Sequence, residues 1–155
     1  MGIIVNKIMK IPLKILENAR GLELPSYATA GSAGLDLRAA ISESIIIKKS
    51  KRVLIPTGVT IALPEGCNGE IRSRSGLAYK SGVVVLNAPG TIDMDYRGEI
   101  KVLLINLGDE NFLLERGMRI AQVVIQKYET ISWNVVDSLD ETDRSCGGYG
   151  STGVK

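Results

Sequence analysis

The chain has 155 residues, 45% hydrophobic and 23% charged, with a net charge of +2, a balance that fits one folded domain and gives no ground for a general nucleic-acid or membrane binder. It contains no histidine and two cysteines, Cys67 and Cys146; this excludes a histidine triad, a four-ligand Cys/His zinc site and a disulfide framework, and makes a carboxylate the expected base of any enzyme reading. The N-terminal "MGIIVNKIMK" has no signal-peptide core and has Asn6 where a myristoylation motif needs Ser or Thr, and runs such as "VVVL" and "VLLI" fall short of the ~20 residues that cross a bilayer, so a cytoplasmic location is expected.

Along the chain the dominant hydrophobic period is two. In residues 8–15, Met9, Ile11, Leu13 and Ile15 fall on one face, with Lys10, Pro12 and Lys14 on the other. "GSAGLDLRA" follows, where Leu35 and Leu37 turn to one side of a strand and Asp36 to the other. "SIIIKK", "RVLIPTGVTIALP", "GEIRSR", "GVVVLNAPG", "GEIKVLLINLG", "RIAQVVIQKY" and "TISWNVV" are short, β-branched and bounded by turn formers, the pattern of strands. The best candidate for a short helix is "RSGLAYKSG". Many short strands with regular turns predict an all-β sandwich, jelly roll or barrel, ending in a glycine-rich arm.

Five stretches carry chemistry. In "GTIDMDYRGEI", Asp93 and Asp95 share a face if the segment is a strand and point apart if it is a turn; paired acids can hold a metal or supply a base, or simply sit solvated on a hairpin. Asn87, just upstream, has the donor and acceptor needed to read a base edge. In "IRSRSGLA", Arg74, Ser75 and Gly76 offer a guanidinium, a hydroxyl and a permissive backbone, which suit phosphate oxygens, although such triplets also mark ordinary turns. Asp36 taken alone reads as a surface acid. In "RIAQVVI", strict alternation puts Arg119, Ala121 and Val123 on one face and Ile120, Gln122 and Val124 on the other, so that Gln122 needs a hydrogen-bond partner among apolar neighbours. In the tail "DETDRSCGGYGSTGVK", Gly148 and Gly153 have GxxxxG spacing, but Val154 stands where a phosphate loop has lysine. The tail is either a disordered end or a flap that closes on something bound elsewhere.

In this order and at these separations, "AGLDL", "RSGLA", "GTIDMDYRGEI", "RIAQ" and "GGYGSTG" resemble the five motifs of the trimeric deoxyuridine 5'-triphosphate nucleotidohydrolase (dUTPase) family, over residues 33–153. The resemblance implies a distorted jelly roll of the β-clip type, with residues 1–140 as its body and 141–155 as a flexible flap, in a homotrimer whose active sites lie between subunits. It implies Mg²⁺-dependent hydrolysis of dUTP to dUMP and pyrophosphate, which limits uracil in DNA and supplies dUMP for thymidylate synthesis. Carried over by motif, Asp93 activates water for attack on the α-phosphorus. Tyr96 lies against the deoxyribose and excludes a 2′-hydroxyl. Asn87 and the backbone of Gly90, Thr91 and Ile92 read uracil. Arg74, Ser75 and Gly76 hold phosphates from a neighbouring subunit, with Gln122 near the α-phosphate, and Asp36 acts on the metal through water. Arg144, Tyr149, Gly150, Ser151 and Thr152 form the closing flap, and the N-terminal strand or the tail is expected to cross to a neighbouring subunit. The implied partners are dUTP, dUMP and further copies of the chain, with neither nucleic acid nor membrane.

Four positions depart from the family pattern: Ser73 replaces a frequent proline, Met118 a frequent acid, Ser145 a usual glycine and Tyr149 a usual phenylalanine. Cys146, next to Ser145, is oxidation-sensitive if exposed. Two other readings stand beside hydrolysis. A dCTP deaminase shares the fold but places a catalytic glutamate where this chain has the "IDMDYRG" hairpin. A non-catalytic nucleotide- or strand-binding sandwich has only "KKSKR" as a basic cluster and 5% aromatic content for stacking.

Overall fold

The computed structural model describes residues 8–148. In chain order the strands are β1 (Leu13–Ile15), β2 (Leu35–Arg38), β3 (Ile45–Ile47), β4 (Arg52–Pro56), β5 (Val59–Ile61) and β6 (Cys67–Arg72), then β7 (Val83–Val85), β8 (Gly90–Ile92), β9 (Lys101–Asn106), β10 (Phe112–Leu114) and β11 (Arg119–Lys127). A 3₁₀ turn, Glu17–Ala19, follows β1, and the one α-helix among the described residues is α1 (Ser75–Ser81). The all-β expectation therefore holds, and so does the short helix expected at "RSGLAYKSG". No helix among the described residues is long and apolar enough to cross a membrane.

Every ladder is antiparallel. The strands form a four-stranded sheet in the order β2-β11-β6-β8, a three-stranded sheet in the order β4-β9-β7, and the pairs β1-β5 and β10-β3. The core packs Leu37, Ile47, Ile55, Ile100, Leu104, Leu114 and Ile120 between them, each with 2% or less of its surface exposed. Burying each such side chain contributes roughly 1.5–3 kcal/mol before conformational entropy is subtracted. Asn106, fully buried at the end of β9, donates from Nδ2 to the carbonyls of Ile47 and Glu110 at 2.8 Å each, and its Oδ1 accepts from the Gly108 N–H at 2.9 Å. Those bonds satisfy its amide and tie β9 to the turns around β3 and β10.

Three sequence expectations need correction. Strict alternation along β11 fails because a bulge separates Arg119 from Ala121: Arg119 pairs with Arg38, Ala121 with Leu37 and Gln122 with Asp36. The extra residue, Ile120, shifts the phase, so Arg119 joins the face of Gln122, and Ile120 and Ala121 are both buried. "TISWNVV" forms no strand among the described residues. It joins no ladder, and Ile131, Trp133 and Val135 stand 61%, 89% and 92% exposed. At the other end, only Leu13–Ile15 of the alternating N-terminal stretch forms a ladder, and Met9, Leu13 and Ile15 remain exposed.

Candidate active site

The four-stranded sheet carries a polar row on one face and an apolar row that borders a second cleft on the other. Because β11 lies between β2 and β6, Gln122 is in register with Asp36 on one side and with Arg72 on the other. Asp36, Gln122 and Arg72 thus form a row across three strands, with neighbouring Cβ atoms about 5 Å apart. The next row is Leu35, Val123, Ile71 and Gly90. Successive residues of a strand point to opposite faces, so the polar row and the Ile71–Gly90 row face away from each other.

On the polar face lies a cleft of about 390 Å³ lined by Ser32, Gly34, Asp36, Arg72, Arg74, Ser75, Gly76 and Gln122, with Ala28, Ala33 and Val124. Asp36 is not an ordinary surface acid. Its side chain is 17% exposed, and its two oxygens accept from Arg74 Nε at 2.9 Å and Arg119 Nη1 at 3.1 Å. Arg74 Nη1 also donates to the Arg119 carbonyl at 3.3 Å. The β11 bulge makes this three-way contact available, since it turns Arg119 towards Asp36. Met118 therefore leaves Arg119 with a carboxylate partner. Gln122 Nε2 donates to the Ser73 carbonyl at 3.1 Å, the structural partner its setting demands. Gly34 lies so close to Gln122 that a Cβ there would collide with the amide, which explains the glycine of "AGLDL". At Gly76 a Cβ would meet nothing within 4 Å, so packing alone does not call for glycine there. Ser73, standing where proline is frequent, steadies its turn in another way: its Oγ accepts from the Val85 N–H at 2.9 Å and fixes the entry to α1 against β7.

The second cleft, of about 310 Å³, is lined by Asn87, Gly90, Thr91, Ile92, Asp93 and Tyr96, together with Leu54, Ile71, Val85, Glu99, Lys101 and Leu103. All six hairpin residues to which the resemblance gives a role are here; Asp95, the other acid of the D-x-D pair, is not. The Ala88–Pro89 peptide in the hairpin is cis. Asp93 and Asp95 stand on a turn closed by the Tyr96 N–H donating to the Asp93 carbonyl at 3.2 Å, and of the two acids only Asp93 lines the cleft. The turn alternative for the D-x-D pair is the correct one.

Among the described residues the two clefts share no lining residue. Arg144 lies in neither. It donates from Nε to the Gly147 carbonyl at 3.1 Å in an exposed turn where Ser145 takes a left-handed φ of 43° in place of glycine. Cys146 is exposed and Cys67 buried, neither in a disulfide. Tyr149, Gly150, Ser151 and Thr152 lie outside the described residues. Sequence reasoning passed over Arg72, Glu99 and Lys101, and missed that Arg119 pairs with Asp36. Arg72 was within reach, because residues 72 and 74 of an extended chain point the same way; the other three depend on the bulge and on how β9 packs.

The family model described as dUTPase matches residues 20–153. A protein of Orientia tsutsugamushi (strain Boryong) named deoxyuridine 5'-triphosphate nucleotidohydrolase is 55% identical over 148 residues, covering 95% of this chain and 100% of its own. A protein of the same name from Rickettsia bellii (strain OSU 85-389) is 58% identical over 147 residues, covering 95% of this chain and 97% of its own. Among solved structures, a mutant dUTPase of Staphylococcus bacteriophage 80alpha with dUpNHpp superposes with a TM-score of 0.80 at 26% identity, covering 94% of this chain and 99% of that one.

Proposed function

The chain belongs to the dUTPase family, and from that premise we propose that it hydrolyses dUTP to dUMP and pyrophosphate at sites that combine the hairpin cleft of one subunit with the guanidinium cleft of a neighbour. The observation that carries this reading is the gathering of Asn87, Gly90, Thr91, Ile92, Asp93 and Tyr96 around one cleft of nucleoside size. Asn87 and the backbone of residues 90–92 read the uracil edge, and Tyr96 lies against the deoxyribose. Asp93 takes a proton from the water that attacks the α-phosphorus. The bond from the α-phosphorus to the bridging oxygen breaks, and pyrophosphate leaves with that oxygen.

Arg74, Ser75, Gly76 and Gln122 hold the triphosphate, with the Arg74 guanidinium as a charge-assisted donor. Among the described residues no group of three or more His, Cys, Asp or Glu side chains could cage a metal. That donor set fits a Mg²⁺ carried mainly by phosphate oxygens, which needs no protein cage. Asp36, the one carboxylate lining the guanidinium cleft, would contact it through water. The ion supplies neutralisation of phosphate charge when bound.

Assembly as a homotrimer of distorted jelly rolls gives each site both clefts. Support comes from the opposed faces of the sheet, and from apolar surface that a single subunit leaves uncovered at both ends of the described chain. A groove of about 710 Å³ runs along Ile8, Met9 and Ile11 beside Tyr27 and Ile125, and Trp133 and Val135 stand free. In this reading residues 1–140 are the body and 141–155 the flap that closes over bound nucleotide with Arg144 and Tyr149.

The test is pyrophosphate release with Mg²⁺ from each deoxynucleoside triphosphate and from UTP. Turnover of dUTP alone is expected. Ammonia release from dCTP would replace this reading with a deaminase, and binding of dUTP with no turnover would leave a nucleotide-binding relative.

A further inference from the structure

Tyr96 is held by a chain of contacts that begins far from the hairpin. Its ring folds back over Gly98, where a Cβ would collide with the phenol. Its hydroxyl donates to the Glu99 carbonyl at 2.9 Å. Glu99 is anchored in turn: its Oε1 accepts from the Gly58 N–H and from Asn18 Nδ2, both at 2.8 Å, and its side chain is 17% exposed. Asn18 lies on the 3₁₀ turn, and its own carbonyl accepts from Arg116 Nη1 at 2.8 Å. Sequence separations of 81 and 98 residues are spanned by single hydrogen bonds.

We propose that Asn18 and Glu99 are positioning residues that fix the distance of the Tyr96 ring from the sugar, and so set discrimination between deoxyribo- and ribonucleotides. This rests on the reading of Tyr96 as the sugar filter. The filter is 44% exposed and gains no rigidity from burial. Its position is set by its backbone turn, by contact with Gly98 and by the single bond to the Glu99 carbonyl. That carbonyl stays in place because two donors hold the carboxylate on the same residue. Without them the segment 96–99 can swing, and room opens where a 2′-hydroxyl would sit.

The experiment measures kcat/KM for dUTP and UTP, with thermal unfolding of each variant. In Glu99→Ala the dUTP:UTP ratio is expected to fall about tenfold, and in Asn18→Ala, which keeps the Gly58 donor, about threefold. Glu99→Gln retains an oxygen that can accept both bonds and is expected to keep the ratio within about twofold. Equal losses on both substrates, or unchanged ratios in Glu99→Ala and Asn18→Ala, overturn the proposal; if Glu99→Ala does not fold, Asn18→Ala decides. Tyr96→Ala separates the levels. If it abolishes discrimination while the Glu99 and Asn18 variants keep theirs, the positioning role fails alone. If it leaves discrimination intact, the sugar filter itself falls and the positioning role with it.

Discussion

The two clefts are made by different means. The hairpin cleft draws six of its lining residues from one run of ten, 87–96, so local turns set the half of its wall that those residues form. The guanidinium cleft takes Ser32 and Asp36 from one part of the chain, Arg72, Arg74 and Ser75 from a second and Gln122 from a third, and only sheet register brings them together. The hairpin brings most of its own geometry with it, and Tyr96 is steadied from outside, through the Glu99 carboxylate that Asn18 and Gly58 hold. A register-built site is as exact as the ladder beneath it, and its charges must be paired with one another until an anion arrives. Asp36 meets that need by holding Arg74 and Arg119 at once.

The sharpest way to separate the two is chemical. Asp93→Asn should leave dUTP affinity within about threefold while lowering kcat by about 10³, the range of a lost general base; isothermal titration beside single-turnover assays reads both. A large loss of affinity would make the hairpin acid a binding residue. Arg74→Ala should act the other way, weakening dUTP binding by about 10–100-fold through loss of a charged donor and leaving deoxyuridine binding unchanged. If deoxyuridine weakens equally, the clefts are not divided into nucleoside and phosphate halves.

A mixture tests whether the halves meet between copies. Subunits carrying Asp93→Asn and subunits carrying Arg74→Ala, refolded together in equal amounts, should recover about a quarter of wild-type activity if each site borrows one cleft from a neighbour in a closed ring. No recovery would put both clefts to work within one subunit. The smallest effect belongs to Ser73→Ala. It removes the acceptor for the Val85 N–H and should cost about 1 kcal/mol, read as a lower unfolding midpoint, with a KM change under about threefold.

The same division governs what could be read from residue order. "LNAPGTIDMDYRGEI" announces the hairpin, because turn chemistry and period-two alternation act over a few residues, and the cleft residues named from it all line that cleft. The short helix after Arg74 was legible for the same reason. Asp36 read alone as a surface acid, since no local signal says that two arginines, 38 and 83 residues away, will close on it. Strict alternation placed Arg119 on the wrong face, because one bulged residue inverts the phase and bulges are decided by how a whole strand fits its neighbours. "TISWNVV" has the alternation of a strand but joins no ladder among the described residues, and alternation cannot tell whether a segment will find a partner strand.

That unpaired stretch has an optical consequence. Trp133 is the only tryptophan in the sequence, and it projects from the segment after β11 with 89% of its surface in solvent. Indole emission moves to shorter wavelength as the ring leaves water. The native protein therefore carries its own single-fluorophore gauge: red-shifted emission corresponds to the segment left bare, and a blue shift with rising concentration would report that another copy covers it, with no second indole to correct for and no label to attach.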